Sequence, residues 1–402
     1  MASPVRTDRA RGRSTVPARG LVPLFAIACG LTVGNLYLSL PLLDTLAAEL
    51  HRSHFAVSLV VVATQAAYAV GLVLVVPLGD MLDRRRLLLA LLTAETAALL
   101  LAATAPGIEV LCVAAALIGL TSVVVMVMVP FAASLATEAE RGRVVASVMS
   151  GVLIGSLLIR FLSGVIGEHT GWRPVYYGAA GVAGALVLVL RSRIPAGTGA
   201  PPDTGLGYAS LLRSLPGLVS SSPVLRRRTL YGALCFAAFT AFWTPLPFLL
   251  AGPHYGYGAD AVGLLSLVGI GGVVAAALAG RAADRDLGPW PTGILLAGGC
   301  LSFLPATFGE HTLALLVLAT FLLDFMVQGA HITNQSEIYR LPPEIRGRVT
   351  SVYMTGYFLG GAVGAVGAAA LYSASGWPAV CVLGSALTGA AFLAWAFHLV
   401  RD

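Results

Sequence analysis

Four polar residues share one face of an otherwise apolar stretch: Asp324, Gln328, His331 and Gln335 stand at i, i+4, i+7 and i+11, which is a single helical stripe. A carboxylate inside such a stretch costs about 2.5–3.5 kcal/mol at the centre of a bilayer unless it is protonated, paired or facing water, so Asp324 reads first as a functional group. The competing reading is a hydrogen-bond network that ties one helix to its neighbours. Arg160 is a second charge in an apolar run. Counted from Val144 it lies roughly 24 Å along a helix axis, just past a bilayer midplane. It requires an anionic partner, with Asp324 as the first candidate and Glu95 as the competitor. Such a pair has three readings: a proton-coupling switch in which protonation of the acid releases the Arg, a clamp for an anionic substrate, or a structural pair.

These groups must be positioned by membrane-spanning helices. Of 402 residues 57% are hydrophobic and 11% charged, against about 25% charged in an ordinary soluble domain. A soluble fold cannot hide so much apolar surface, whereas a bilayer accepts it. Runs of spanning length fall near 21–43, 55–79, 86–105, 109–134, 144–168, 173–190, 229–251, 259–281, 290–308, 311–333, 349–373 and 377–399. The expected fold is an all-α membrane protein of twelve transmembrane helices. The Arg-rich start runs into a first stretch too long for a cleavable signal, so it reads as a signal-anchor helix. All 25 basic residues are Arg, and with both termini on one side 22 fall on that side, leaving Arg52 and Arg173 opposite and Arg160 within a span. The positive-inside rule then places both termini in the cytoplasm and the chain in the plasma (inner) membrane. The Gly- and Pro-rich stretch after Arg191 is linker chemistry. The expected organisation is a tail at 1–20, a six-helix bundle at 21–192, a cytoplasmic linker at 193–228 and a second bundle at 229–402.

The two bundles repeat one another. Gly79-Asp80-Met81-Leu82-Asp83-Arg84 recurs as Gly280-Arg281-Ala282-Ala283-Asp284-Arg285, at an offset of 201. Arg141-Gly142-Arg143-Val144 recurs as Arg346-Gly347-Arg348-Val349, and Gly171-Trp172 as Gly376-Trp377, both at 205. An offset spanning six helices keeps both copies in the same orientation, which makes them parallel repeats. On these residues the chain resembles a twelve-helix transporter of the major facilitator superfamily over nearly its whole length. Gly79, Asp83 and Arg84 match the family's G-x-L-a-D-R-x-G-R-[KR] loop, Arg85-Arg86 stand a residue or two short of its basic end, and Gly280 to Arg285 match its core alone. Asn35-Leu36-Tyr37 followed by Pro41-Leu42-Leu43 resembles a drug-antiporter-like efflux subgroup. The resemblance implies a gating latch at Gly79, Asp83, Arg84 and Arg86 and at Gly280, Asp284 and Arg285. The bland alternative is that the Arg residues only set topology. It also implies that helices 1, 4, 7 and 10 line a central cavity, which makes the Asp324 stripe substrate-facing. Asn35, Tyr37, Gln65, Tyr68, Thr240 and Trp243 are further lining candidates, although aromatic residues in membrane helices are more often packing. Many proton antiporters of the family carry an Arg before a Gly in helix 4; here Ala115-Ala116-Leu117-Ile118-Gly119 lacks it, which leaves coupling to Asp324, Arg160 and Glu95.

Gly151 and Gly155, and Gly356, Gly360, Gly361 and Gly364, are spaced for close helix packing, either as tight contacts alone or as a smooth junction on which the halves rock. The five cysteines lie in apolar runs without CxxC spacing, so no metal site is expected. No HExxH, Walker A, GxSxG or post-strand GxGxxG is present, so no cofactor and no enzyme activity is expected. Dispersed Arg clusters argue against nucleic acid. The reading is a monomeric, proton-coupled exporter of a small organic compound, with import of a sugar or metabolite as the nearer rival and a membrane sensor or enzyme as the remote one.

Overall fold

The computed structural model describes residues 18–138, 140–195, 207–284, 289–342 and 345–401. They form eleven continuous helical stretches long and apolar enough to cross a bilayer: α1 (Gly20–Glu49), α2 (His54–Asp80), α3 (Arg84–Ala103), α4 (Ile108–Ser134), α5 (Arg141–Thr170), α6 (Trp172–Arg193), α7 (Pro223–Ala251), α8 (Ala259–Arg281), α9 (Trp290–Phe308), α10 (Leu313–Tyr339) and a last one, Arg346–Arg401. At 56 residues that last stretch would run about 84 Å, far more than a bilayer is thick. Gly376, at φ 75°, divides it into α11 (346–375) and α12 (377–401). Twelve spans result, and the fold is all-α.

Local chemistry sets the boundaries. Ser53 caps α2 by accepting from the Ala56 amide at 3.3 Å, and Asp83 caps α3 through the Arg86 amide at 2.9 Å. Ser222 caps α7, with Pro223 at the first helical position, where its missing N–H is harmless. Span seven therefore begins at Pro223 rather than at 229, and the linker carries a short helix of its own, Tyr208–Ser221. Both repeated Gly-Trp pairs are sharp turns: Gly171 (φ 79°) joins α5 to α6 and Gly376 joins α11 to α12. The Trp that follows each is buried, and the Trp377 indole donates to the Ala306 carbonyl at 2.8 Å.

The spaced glycines pack helices inside each half. A Cβ on Gly151 or Gly155 would strike the α1 backbone at Ala26 or Gly30, and one on Gly360 or Gly364 the α7 backbone at Ala233 or Ala237. The expected smooth junction between halves lies elsewhere, where Gly164 of α5 meets Ala259 and Gly263 of α8. The end of the molecule bearing Arg52 and Arg173 is closed across the halves. His54 stacks on Phe248 at 4.1 Å, and the Glu168 carboxylate accepts from the Ala259 amide, at the start of α8, at 2.7 Å. Tight α5–α8 packing continues to Leu157 and Gly269. Toward the Arg-rich end, Leu153 and Val273 stand on the walls of a cavity instead.

Candidate functional site

The cavity holds about 90 Å³ and draws on both halves: Tyr37 from α1 and Leu153, Ser156, Leu157 and Arg160 from α5 face residues of α7, α8, α10 and α11. Asp324, Val327 and Gln328 of α10 line it, as do Gly269 and Gly272 of α8 and Phe236, Phe239 and Tyr357. Arg160 and Asp324, each 5% exposed, thus meet at one site from opposite halves. The Trp243 indole N–H donates to Asp324 Oδ1 at 3.1 Å. The Arg160 guanidinium lies over the same indole at 5.0 Å and over the Tyr37 ring at 5.3 Å. Its Nε donates to the Ser156 carbonyl at 3.1 Å, while Nη1 has no hydrogen-bond partner among the described residues. A methyl group on Gly269 would meet Asp324 Oδ2 at 2.5 Å, so any larger residue there would displace that carboxylate. Two aromatic faces hold the cation, each such contact stabilising by up to about 2 kcal/mol when desolvated.

Other sequence candidates are placed differently. Glu95 is fully buried inside the first half, away from Arg160, and accepts from Asn35 Nδ2 at 2.9 Å and Ser122 Oγ at 3.2 Å. Asn35 is therefore committed to Glu95. Gln65 is also fully buried, and neither amide atom has a partner. Tyr68 packs against Phe358 of α11 at 4.2 Å, and Thr240 donates to the Gly361 carbonyl at 2.7 Å, so both act in helix packing. The α10 stripe divides. Asp324 and Gln328 look into the cavity, but His331 bonds the Tyr353 hydroxyl through Nδ1 at 2.9 Å and Gln335 faces Met354. The cause is α11, which covers the same face of α10 two turns further on.

At the Gly79 loop, Arg84 Nε donates to the Gly79 carbonyl at 3.1 Å and its Nη2 lies 3.4 Å from Asp80. Asp83 caps α3, Arg86 is exposed, and Arg85 bonds the Ile194 and Arg191 carbonyls at the end of α6. All of these bonds lie within the first half. Of the second copy, a Cβ on Gly280 would meet open space, and the Asp284 side chain and Arg285 lie outside the described residues. Sequence reasoning missed the aromatic wall of Phe236, Phe239 and Tyr357 and the Gly269 floor; the Gly-x-Gly-Gly run at 269–272 in mid-span was the available signal.

Residues 25–340 match the Major Facilitator Superfamily. The chain is 39% identical over 382 residues to the putative uncharacterized transporter YgaY of Escherichia coli K12, covering 94% of this chain and 96% of that one. It is 33% identical over 403 residues to the probable transporter SCO4007 of Streptomyces coelicolor, covering 98% and 91%. Among solved structures, the nucleoside transporter NupG superposes with a TM-score of 0.74 at 12% identity, over 93% of this chain and 99% of that one. With its repeated halves, closed end and interfacial cavity, this chain is a membrane transporter of the major facilitator superfamily.

Proposed function

We propose that the protein is a secondary transporter that exports a small organic compound in exchange for protons by alternating access. One observation carries the reading: an acid from the second half and a guanidinium from the first are buried together in the cavity between the halves. Protonation of Asp324 removes the charge that shares a cavity with Arg160 and weakens the Coulombic attraction between halves, which links a proton to rocking about the α5–α8 junction. The absence of an ATPase motif favours a gradient as the energy source. Export is supported by the resemblance of the α1 run Asn35–Leu43 to efflux-type members. The Arg distribution supports cytoplasmic termini and the plasma membrane. Glu95, with Oε2 unpartnered, is the second candidate proton carrier. The Gly79–Arg86 loop, bonded inside its own half while the cavity extends toward the Arg-rich end, is the proposed latch for the opposite conformation.

The test uses proteoliposomes loaded with a pH-sensitive dye and compounds chosen by a resistance screen in a host lacking efflux pumps. Wild type should show substrate-dependent proton movement, and Asp324→Asn should lose it while remaining folded. Undiminished coupling in the variant removes Asp324 as carrier, and no substrate-dependent proton movement in wild type removes the coupling itself.

A further inference from the structure

The cavity contains a buried donor that no group among the described residues answers. Arg160 spends Nε on the Ser156 carbonyl, and two aromatic rings cover its plane, yet Nη1 is buried without a partner. Asp324 shares the cavity but makes no ion pair with it among the described residues, its Oδ1 accepting from the Trp243 indole. An unanswered buried guanidinium N–H is costly. A guanidinium edge has the planar geometry that carboxylates and other oxyanions match. Phe236, Phe239 and Tyr357 also line the cavity as one aromatic stack, with Phe236 on Tyr357 at 4.1 Å and on Phe239 at 5.6 Å. Among the described residues, Gln328 and Ser156 are the neutral polar side chains, apart from the Tyr hydroxyls, that line the cavity.

We propose that the cavity binds an organic monoanion with a flat aromatic body, its oxyanion seated on Arg160 Nη1 and its ring against Phe236, Phe239 and Tyr357. A cationic ligand would meet Arg160 directly, and a neutral one would leave Nη1 unanswered. The inference rests on reading this cavity as the substrate site of the transporter, but its test is binding, which needs neither flux nor protons.

Full-length protein in detergent is titrated calorimetrically with 1-naphthoate, 1-naphthamide, 1-naphthylmethylammonium and chloride. Naphthoate should bind at least tenfold more tightly than the amide and the ammonium compound, and chloride at equal concentration should not displace it. Arg160→Gln should weaken naphthoate at least tenfold and leave the amide unchanged. Asp324→Asn, by removing a neighbouring negative charge, should tighten naphthoate. The proposal is overturned by no naphthoate binding, by equal or better binding of the amide or ammonium compound, by displacement with chloride, or by unchanged affinity in Arg160→Gln. If that variant does not fold, the probe comparison on wild type decides by itself. Naphthoate binding without any proton-linked flux would remove the coupling and keep the anion site; proton-linked flux of other compounds without naphthoate binding would do the reverse.

Discussion

Asp324 and Glu95 are both carboxyl groups buried in apolar helices, and their neighbours separate them. Asp324 shares its cavity with a cation and takes one hydrogen bond from Trp243, whereas Glu95 is bonded to Asn35 and Ser122 inside one bundle. Glu95→Gln keeps an acceptor for Asn35 and should leave thermal stability within about 1 kcal/mol of wild type. Glu95→Ala strands the Asn35 amide and should cost about 1–3 kcal/mol. Thermal unfolding in detergent reads both, and equal losses would contradict the hydrogen-bond account. At this scale the sequence was legible where charge was at stake: Asp324 and Arg160 stand out because a charge in an apolar run demands a reason. It was less legible for His331 and Gln335, since helical periodicity gives a direction without saying which neighbouring helix occupies it. Tyr357 and Phe236 left no signal, because an aromatic ring on a cavity wall and one in a packed core look the same in sequence.

Among elements, the spaced glycines matter most. Gly155 allows the α1 and α5 backbones to touch at Gly30, and Gly364 does the same for α11 and α7 at Ala237. A Cβ there meets backbone, which cannot rotate aside. Gly155→Ala and Gly364→Ala should each destabilise by about 1–3 kcal/mol, seen as a lower unfolding temperature in detergent, whereas Gly142→Ala, in open space, should be neutral. Small residues four apart announced close packing from the sequence. Which pairs of helices they joined was not visible, because spacing marks a face and not its partner. Hydropathy gave the number of spans but missed the linker helix Tyr208–Ser221, which is too short to read as a crossing.

For the whole molecule, the closed end depends on a contact between halves: the α5 carboxylate Glu168 serves as the cap of α8 at Ala259. A hydrogen bond to a charged group contributes about 1.5–3 kcal/mol. Glu168→Ala should therefore shift the balance at least about tenfold toward opening at that end. Labelling of a cysteine introduced at Ala251, beside that contact, by a membrane-impermeant maleimide reads the shift, and unchanged labelling would show that the cap does not hold the end closed. The parallel repeat was plain in the sequence, since related motifs at 201 residues and identical ones at 205 leave few other arrangements. The closed end was not, since it joins Glu168 to a backbone amide 91 positions away and backbone groups carry no sequence signature. The Gly171 and Gly376 turns have a bearing on assembly as well. Each lets two spans follow one another with a single residue between them, so the α5–α6 and α11–α12 pairs carry almost no polar chain to the far side of the bilayer. Each repeat thus ends on a hairpin that can enter the membrane as one unit.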